Sequence, residues 1–319
     1  MPHLITKVDA AMSKLSLACA LAVTLIISAY PPDASAVKVV RDATPPTPAV
    51  PPPRVATATP VPANLPTLSA TQIVDKNVTA RGGLTTWRAI HSMTVTGKLD
   101  AGGRKDTLLP YTLQVKRPNK QRLAIDFAGH TALQVFDGEH GWKLRPYLNR
   151  PDPEPFSPEE LRKAVAQPQL DGPLIDYVAK GSKVELDGTE MVEGQGTYRL
   201  KLTTKQGHEE RIWVDGSTFL EVKLEGNPRH FDGRMRRVET YLRDYRRIEG
   251  VMLPFVAETR IENVPGGHRM TIEKVVLNDR IDESAFAKPQ ALSAAALSAV
   301  PKMVVLPTPQ PGSSVPKGP

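Results

Sequence analysis

His140 stands three residues after Asp137 and directly after Glu139, in the segment Asp137-Gly138-Glu139-His140. A histidine oriented by a carboxylate is the pairing that a general base requires. The same four residues are also what a hairpin turn selects, because Asp bonds amides a little further along the chain and Gly tolerates positive φ. The turn reading is the one adopted, so no catalytic residue is assigned. His208, His230 and His268 each sit near turn residues without ligand-like spacing, and no metal is expected. The sequence contains no Walker loop, no GxGxxG, no HExxH, no GxSxG and no CxxC. The chain therefore reads as non-enzymatic and without a cofactor.

The other chemistry-bearing stretch is basic: Arg234, Arg236, Arg237, Arg243, Arg246 and Arg247, in a chain of formal net charge +7. Arg237, Glu239, Tyr241, Arg243 and Tyr245 share one strand parity, and Val238 and Leu242 share the other. That is a strand with one solvated face of mixed charge. Nucleic acid is not expected as a partner; contact with an anionic membrane surface stays open.

The elements that carry these residues are organised around Gln121–Pro146. Leu123, Ile125 and Phe127 alternate with Arg122, Ala124 and Asp126, Leu133 and Val135 repeat the alternation, and Trp142 and Leu144 resume it after the Asp137-Gly138 turn. Tyr111, Leu113 and Val115 form the strand before, and Met93–Leu99 the first. Seven further strands are expected at Lys183–Leu186, Tyr198–Leu202, Arg211–Val214, Leu220–Leu224, Met235–Tyr245, Met252–Ile261 and Met270–Leu277. Turn residues such as Asp187-Gly188, Asp215-Gly216 and Glu249-Gly250 separate several of them at hairpin spacing. Ser69 with Gln72 marks a capped helix ahead of Gly82-Gly83, with a second short one after it. Pro151, Pro153 and Pro155 read as a loop. Ser157-Pro158-Glu159-Glu160 starts another helix, and a further short one follows Asp171-Gly172-Pro173.

The fold class is mainly β (α+β): one antiparallel sheet with a few short helices. A sheet of about ten strands curls, and its concave face must be filled. Where the helices fill it incompletely an apolar cavity results, and Tyr111, Leu113, Val115, Leu123, Ile125, Phe127, Leu133, Val135 and Trp142 are expected to line it.

The ends are of another character. Residues 1–36 have the anatomy of a signal peptide: Lys7 and Lys14, an apolar run from Leu15 to Ala29, then Ala34-Ser35-Ala36. Cys19, the single cysteine, lies inside that run, so the mature chain is expected to lack disulfides. Residues 37–66 are a proline-rich linker, 67–288 the folded domain, and 289–319 an Ala-, Ser- and Pro-rich tail. The chain is expected in the periplasm. An uncleaved signal would hold it at the inner membrane, on a polyproline spacer that rises ~3.1 Å per residue.

With these features the chain resembles the outer-membrane lipoprotein-sorting proteins, a family that includes a periplasmic lipoprotein carrier and its anchored receptor. The residues that carry the resemblance are Ile73–Gly83, Phe136-Asp137-Gly138 with Gly141-Trp142, Leu174–Gly181 before Lys183-Val184-Glu185-Leu186, Trp213 with Asp215, and Tyr245 with Gly250-Val251-Met252-Leu253-Pro254. The resemblance implies a strongly curved antiparallel sheet forming an incomplete barrel, with the short helices as lid over an apolar cavity, and a lipid or lipoprotein acyl chain as partner; another envelope protein is a further expected partner. It also implies an arginine on an early strand holding the lid, where this chain's first strand offers Lys98. Cys19 is misplaced for a receptor's anchor. The alternative to a carrier is a cargo-free envelope module whose cavity is packed by its own side chains.

Overall fold

The computed structural model describes residues 64–100, 108–127, 129–148, 150–166, 170–226, 228–231, 234–264 and 267–292. The expected signal peptide, all but the end of the linker, and the tail from residue 293 lie outside the described residues.

Helix α1 (Ala70–Ala80) starts at a reciprocal cap: the Gln72 amide donates to Ser69 Oγ at 3.2 Å and the Ser69 amide to Gln72 Oε1 at 2.9 Å. Gly82 and Gly83, at φ +111° and +85°, turn the chain into α2 (Leu84–Arg88). A Cβ on Gly82 would lie 2.3 Å from the Gly250 carbonyl oxygen, so the turn and the contact both require glycine. A meander follows: β1 (Ser92–Asp100), β2 (Leu108–Lys116), β3 (Lys120–Phe127), β4 (His130–Phe136) and β5 (Gly141–Arg145). A 3-10 turn (Pro146–Leu148), β6 (Arg150–Pro155) and helix α3 (Pro158–Ala166) come next. The second set comprises β7 (Lys183–Val192), β8 (Gln195–Thr203), β9 (Glu209–Asp215), β10 (Glu221–Glu225), β11 (Arg229–Phe231), β12 (Arg234–Arg236), β13 (Val238–Ile248), β14 (Val251–Ile261) and β15 (His268–Leu277).

Thirteen of these strands form one antiparallel sheet, in the order β6-β5-β4-β3-β2-β1-β15-β14-β13-β10-β9-β8-β7, and β11–β12 is a separate hairpin. The sheet is not closed, and its ends are β6 and β7. It is the incomplete barrel that the resemblance implies.

Three expectations need correction. Arg150–Pro155 is an edge strand, not a loop; prolines at every second position are tolerated there because their missing amides leave the paired side alone. The helix expected after Asp171-Gly172-Pro173 is replaced by turns through Gly181, with Asp176 at φ 54°. Met235–Tyr245 is two elements, since β11–β12 takes Met235 before β13 begins at Val238. Within β13 the left-handed Asp244 (φ 54°) breaks the alternation. Tyr245 thus turns away from Tyr241 and donates from its hydroxyl to the Glu221 carbonyl at 2.8 Å.

The strand register shows a single inner face running across the sheet. Leu200 sits opposite Ile212, Ile212 opposite Leu224, Leu242 opposite Ala257 and Ala257 opposite Met270. The face continues through Met270 with Leu99, Val95 with Leu113, Leu113 with Leu123, and Leu123 with Gln134. Gly97 lies on it at a bulge between β1 and β15, where a Cβ would stand 2.0 Å from the Thr271 carbonyl oxygen and 2.9 Å from Tyr111 Oη. Gly97→Ala is expected to lower stability by about 1–3 kcal/mol through that overlap, read as a lower urea midpoint with unchanged m.

On the outer face the 3-10 turn Glu283–Phe286 packs Phe286 with Ile281 and Val135. The chain then reaches β6, where the Leu292 amide donates to the Pro151 carbonyl at 2.9 Å.

Candidate functional site

The inner face is apolar over most of its area and is covered by short pieces of chain. One cluster joins Leu99, Tyr111, Leu113, Val115, Leu123, Ile125 and Leu253 of the sheet to Trp87, Ile90, Leu170 and Ile175 of the covering segments. Beside it, Leu200, Ile212 and Val214 take Ile73 and Val74 of α1 and Leu174. Trp87, Leu113 and Ile125 have no exposed surface.

Of the residues expected to line a cavity, Tyr111, Leu113, Val115, Leu123 and Ile125 stand together on this face. Phe127 ends β3 opposite His130, and its side chain lies outside the described residues. Leu133, Val135 and Trp142 are on the other face, packed with Ile281, Ala285 and Phe286. The cause is register. β3 and β4 pair Leu123 with Gln134 and Ala124 with Leu133, so the apolar parity of β4 faces outward. A one-residue difference in pairing inverts a strand, and both strands alternate equally well in the sequence.

The cover is fastened by a buried charge network that sequence reasoning did not find. Asp171 accepts from Arg117 Nη2 at 2.8 Å and from Lys180 Nζ at 2.6 Å. Arg81 Nη1 donates to the Asp171 carbonyl at 3.0 Å and stands 3.3 Å from Glu221 Oε1, with its guanidinium 4.5 Å over the Trp87 ring. Arg117 also donates to the carbonyls of Ile90 at 2.8 Å and Trp87 at 3.2 Å. Lys180 donates to those of Gly172 and Ile175, both at 2.7 Å. Burial pushes Lys180 below the ordinary lysine range, against the pull of Asp171. These bonds gather α1, α2, the end of β2 and the 171–180 turns around Asp171, through its carboxylate and its backbone carbonyl. Arg88 adds an outer clasp to Asp176 at 2.6 Å, with its own side chain 61% exposed.

Lys98 has no part in this. It lies on the outer side, 2.9 Å from Glu273, with about half of each side chain exposed. The cations that hold the cover are Arg117, Arg81 and Lys180. The sequence signal that could have found Arg117 is its place at the end of an alternating strand, just before a proline.

The polar turn at Asp137 is held by backbone bonds, with His140 Nδ1 3.7 Å from Asp137 Oδ2. Asp137 Oδ1 accepts from the amides of Glu139 at 2.8 Å and His140 at 2.6 Å. Burial raises the Asp137 carboxyl, but these amides and His140 bring it below the usual carboxylate range. His140 is exposed and stacks on Trp142 at 5.9 Å. Among the described residues no three His, Cys, Asp or Glu side chains stand together as a metal set. In the basic stretch, Arg237 is paired with Glu262, Arg243 with Glu193 and Arg246 with Asp244.

The chain resembles LolA-superfamily proteins. A member from Nitrosomonas europaea is 17% identical, with a TM-score of 0.46 over 70% of this chain and 99% of that one. A domain classed with outer-membrane lipoprotein sorting, from Vibrio parahaemolyticus, is 11% identical, with a TM-score of 0.45 over 68% and 95%. The Mycobacterium tuberculosis lipoprotein LppX is 11% identical, with a TM-score of 0.25 over 66% and 98%. No family model and no curated protein matches the sequence.

Proposed function

We propose that this chain is a non-enzymatic binding protein of the cell envelope that holds a lipid or lipoprotein acyl chain against the inner face of its open sheet. The carrying observation is the construction of the cover. An apolar face spanning most of a 13-stranded sheet is closed by two short helices and a set of turns, fastened around Asp171 and Glu221. Such a closure is released by opening one charged cluster, and what it uncovers is mostly apolar. In the closed form Trp87, Ile90, Leu170 and Ile175 occupy the place an acyl chain would take. Opening exposes Leu113, Leu123 and Ile125, which gain about 25 cal/mol per Å2 of apolar surface when a chain covers them again. Export by residues 1–36 and a site of action in the periplasm complete the proposal.

The near-zero exposure of Trp87, Leu113 and Ile125 favours the second reading, a module that binds partner proteins and never opens. Native mass spectrometry of the chain purified from the periplasm separates the two. A carrier arrives with a population heavier by one lipid, removed by delipidation and restored by added phospholipid or acylated peptide. Protein that is bare in every preparation and takes up neither ligand overturns the carrier reading.

A further inference from the structure

Between the apolar clusters of the inner face lies a band of buried polar groups. Gln134 sits opposite Leu123 on one side and Lys143 on the other, so all three project to the same face. Gln121, opposite Phe136, shares that face one diagonal step away. Lys143 Nζ donates to both carboxylate oxygens of Glu160 in α3, at 2.7 and 2.9 Å, and Glu160 also accepts from the Ser157 amide at 2.6 Å. That ion pair is satisfied within itself. The glutamines are not: Gln134 Oε1 and Gln121 Nε2 have no hydrogen-bond partner among the described residues, although the two residues are only 7% and 8% exposed. A buried polar atom without a partner carries a desolvation penalty that calls for a physical reason.

One orphan requires a donor and the other an acceptor. Diagonal neighbours on adjacent strands are roughly 7–8 Å apart, within reach of a single small group between two long side chains. A secondary amide meets both demands, its N–H donating to Gln134 and its carbonyl accepting from Gln121. An ester of the same shape meets only the second, and sets its own oxygen against Gln134. The geometry points to a subsite for the amide linkage of an N-acylated ligand, whose chain continues over Leu123 and Ile125. Helix α3 closes this subsite through Glu160, as the Asp171 network closes the face beyond it. The inference rests on the lipid-binding reading above and specifies which acyl linkage is preferred.

Two probes that differ at one atom test it: N-palmitoylglycine and its ester counterpart, palmitoyloxyacetic acid, titrated calorimetrically into the delipidated full chain. The amide is expected to bind about tenfold more tightly, the effect of one satisfied buried hydrogen bond. Gln134→Met keeps the side-chain length and is expected to reduce the ratio to about one by weakening the amide alone, whereas Gln121→Met is expected to weaken both probes and leave the ratio, with the melting temperature held in each. Equal affinities in the unaltered chain, or a preference that survives Gln134→Met, overturn the subsite and leave the lipid-binding reading standing. Binding of neither probe overturns both.

Discussion

Asp171→Ala is expected to cost about 3–5 kcal/mol and to loosen the cover before the sheet unfolds. The carboxylate is 3% exposed and faces Arg117 and Lys180, with Arg81 bonded to the carbonyl of the same residue. Removing it takes away the carboxylate that Arg117 and Lys180 share, while Arg81 keeps Glu221. Deleting one partner of a buried ion pair strands the other charge in a medium that solvates it poorly, which is why such deletions cost more than the pair itself contributes. Urea unfolding gives the magnitude. An apolar dye that fluoresces at urea concentrations where the sheet's circular dichroism is intact gives the order of events. A loss below about 1 kcal/mol would show that the network does not fasten the cover. Arg88→Ala, at the exposed outer clasp, is expected to leave the midpoint unchanged, since a solvated pair contributes little.

Ile125→Asp is expected to be the other severe change, at about 4 kcal/mol or more in the closed form, because Ile125 has no exposed surface and no cation of the Asp171 network lies on its strand. A buried carboxyl there either pays for ionisation or takes up a proton. Its stability therefore recovers as pH falls toward the raised pKa of the introduced group, a recovery the unaltered chain does not share. If the cover opens readily, water reaches the position, the loss shrinks, and lipid uptake fails first. Unchanged stability together with unchanged lipid uptake would remove this face from the function.

The sequence revealed those features that are set by neighbours in the chain. The caps at Ser69 and Ser157, the hairpin at Asp137 and the alternation of β2 and β3 all depend on residues within a few positions of one another, and each is where it was expected. The outward face of Leu133, Val135 and Trp142 depends on which residue of β3 each one meets, and alternation is silent on that. β6 was hidden because three prolines look like a loop until the strand is known to lie at an edge. The Asp171 network was hidden for a plainer reason. Arg81, Arg117, Asp171 and Glu221 are scattered over 140 positions, and each alone has the look of a surface charge.

The two ends of the sheet differ in a way that bears on self-association. β6 has a proline at every second position and is already met by the Leu292 amide, so little of its outer edge can accept another strand. β7 is ten residues long, contains no proline, and among the described residues pairs with β8 alone. Growth of the sheet is thus possible in one direction. Two copies that met along β7 would spend both available edges on each other and present β6 at either end. The assembly would stop at a two-fold pair, with no free edge to seed a fibre.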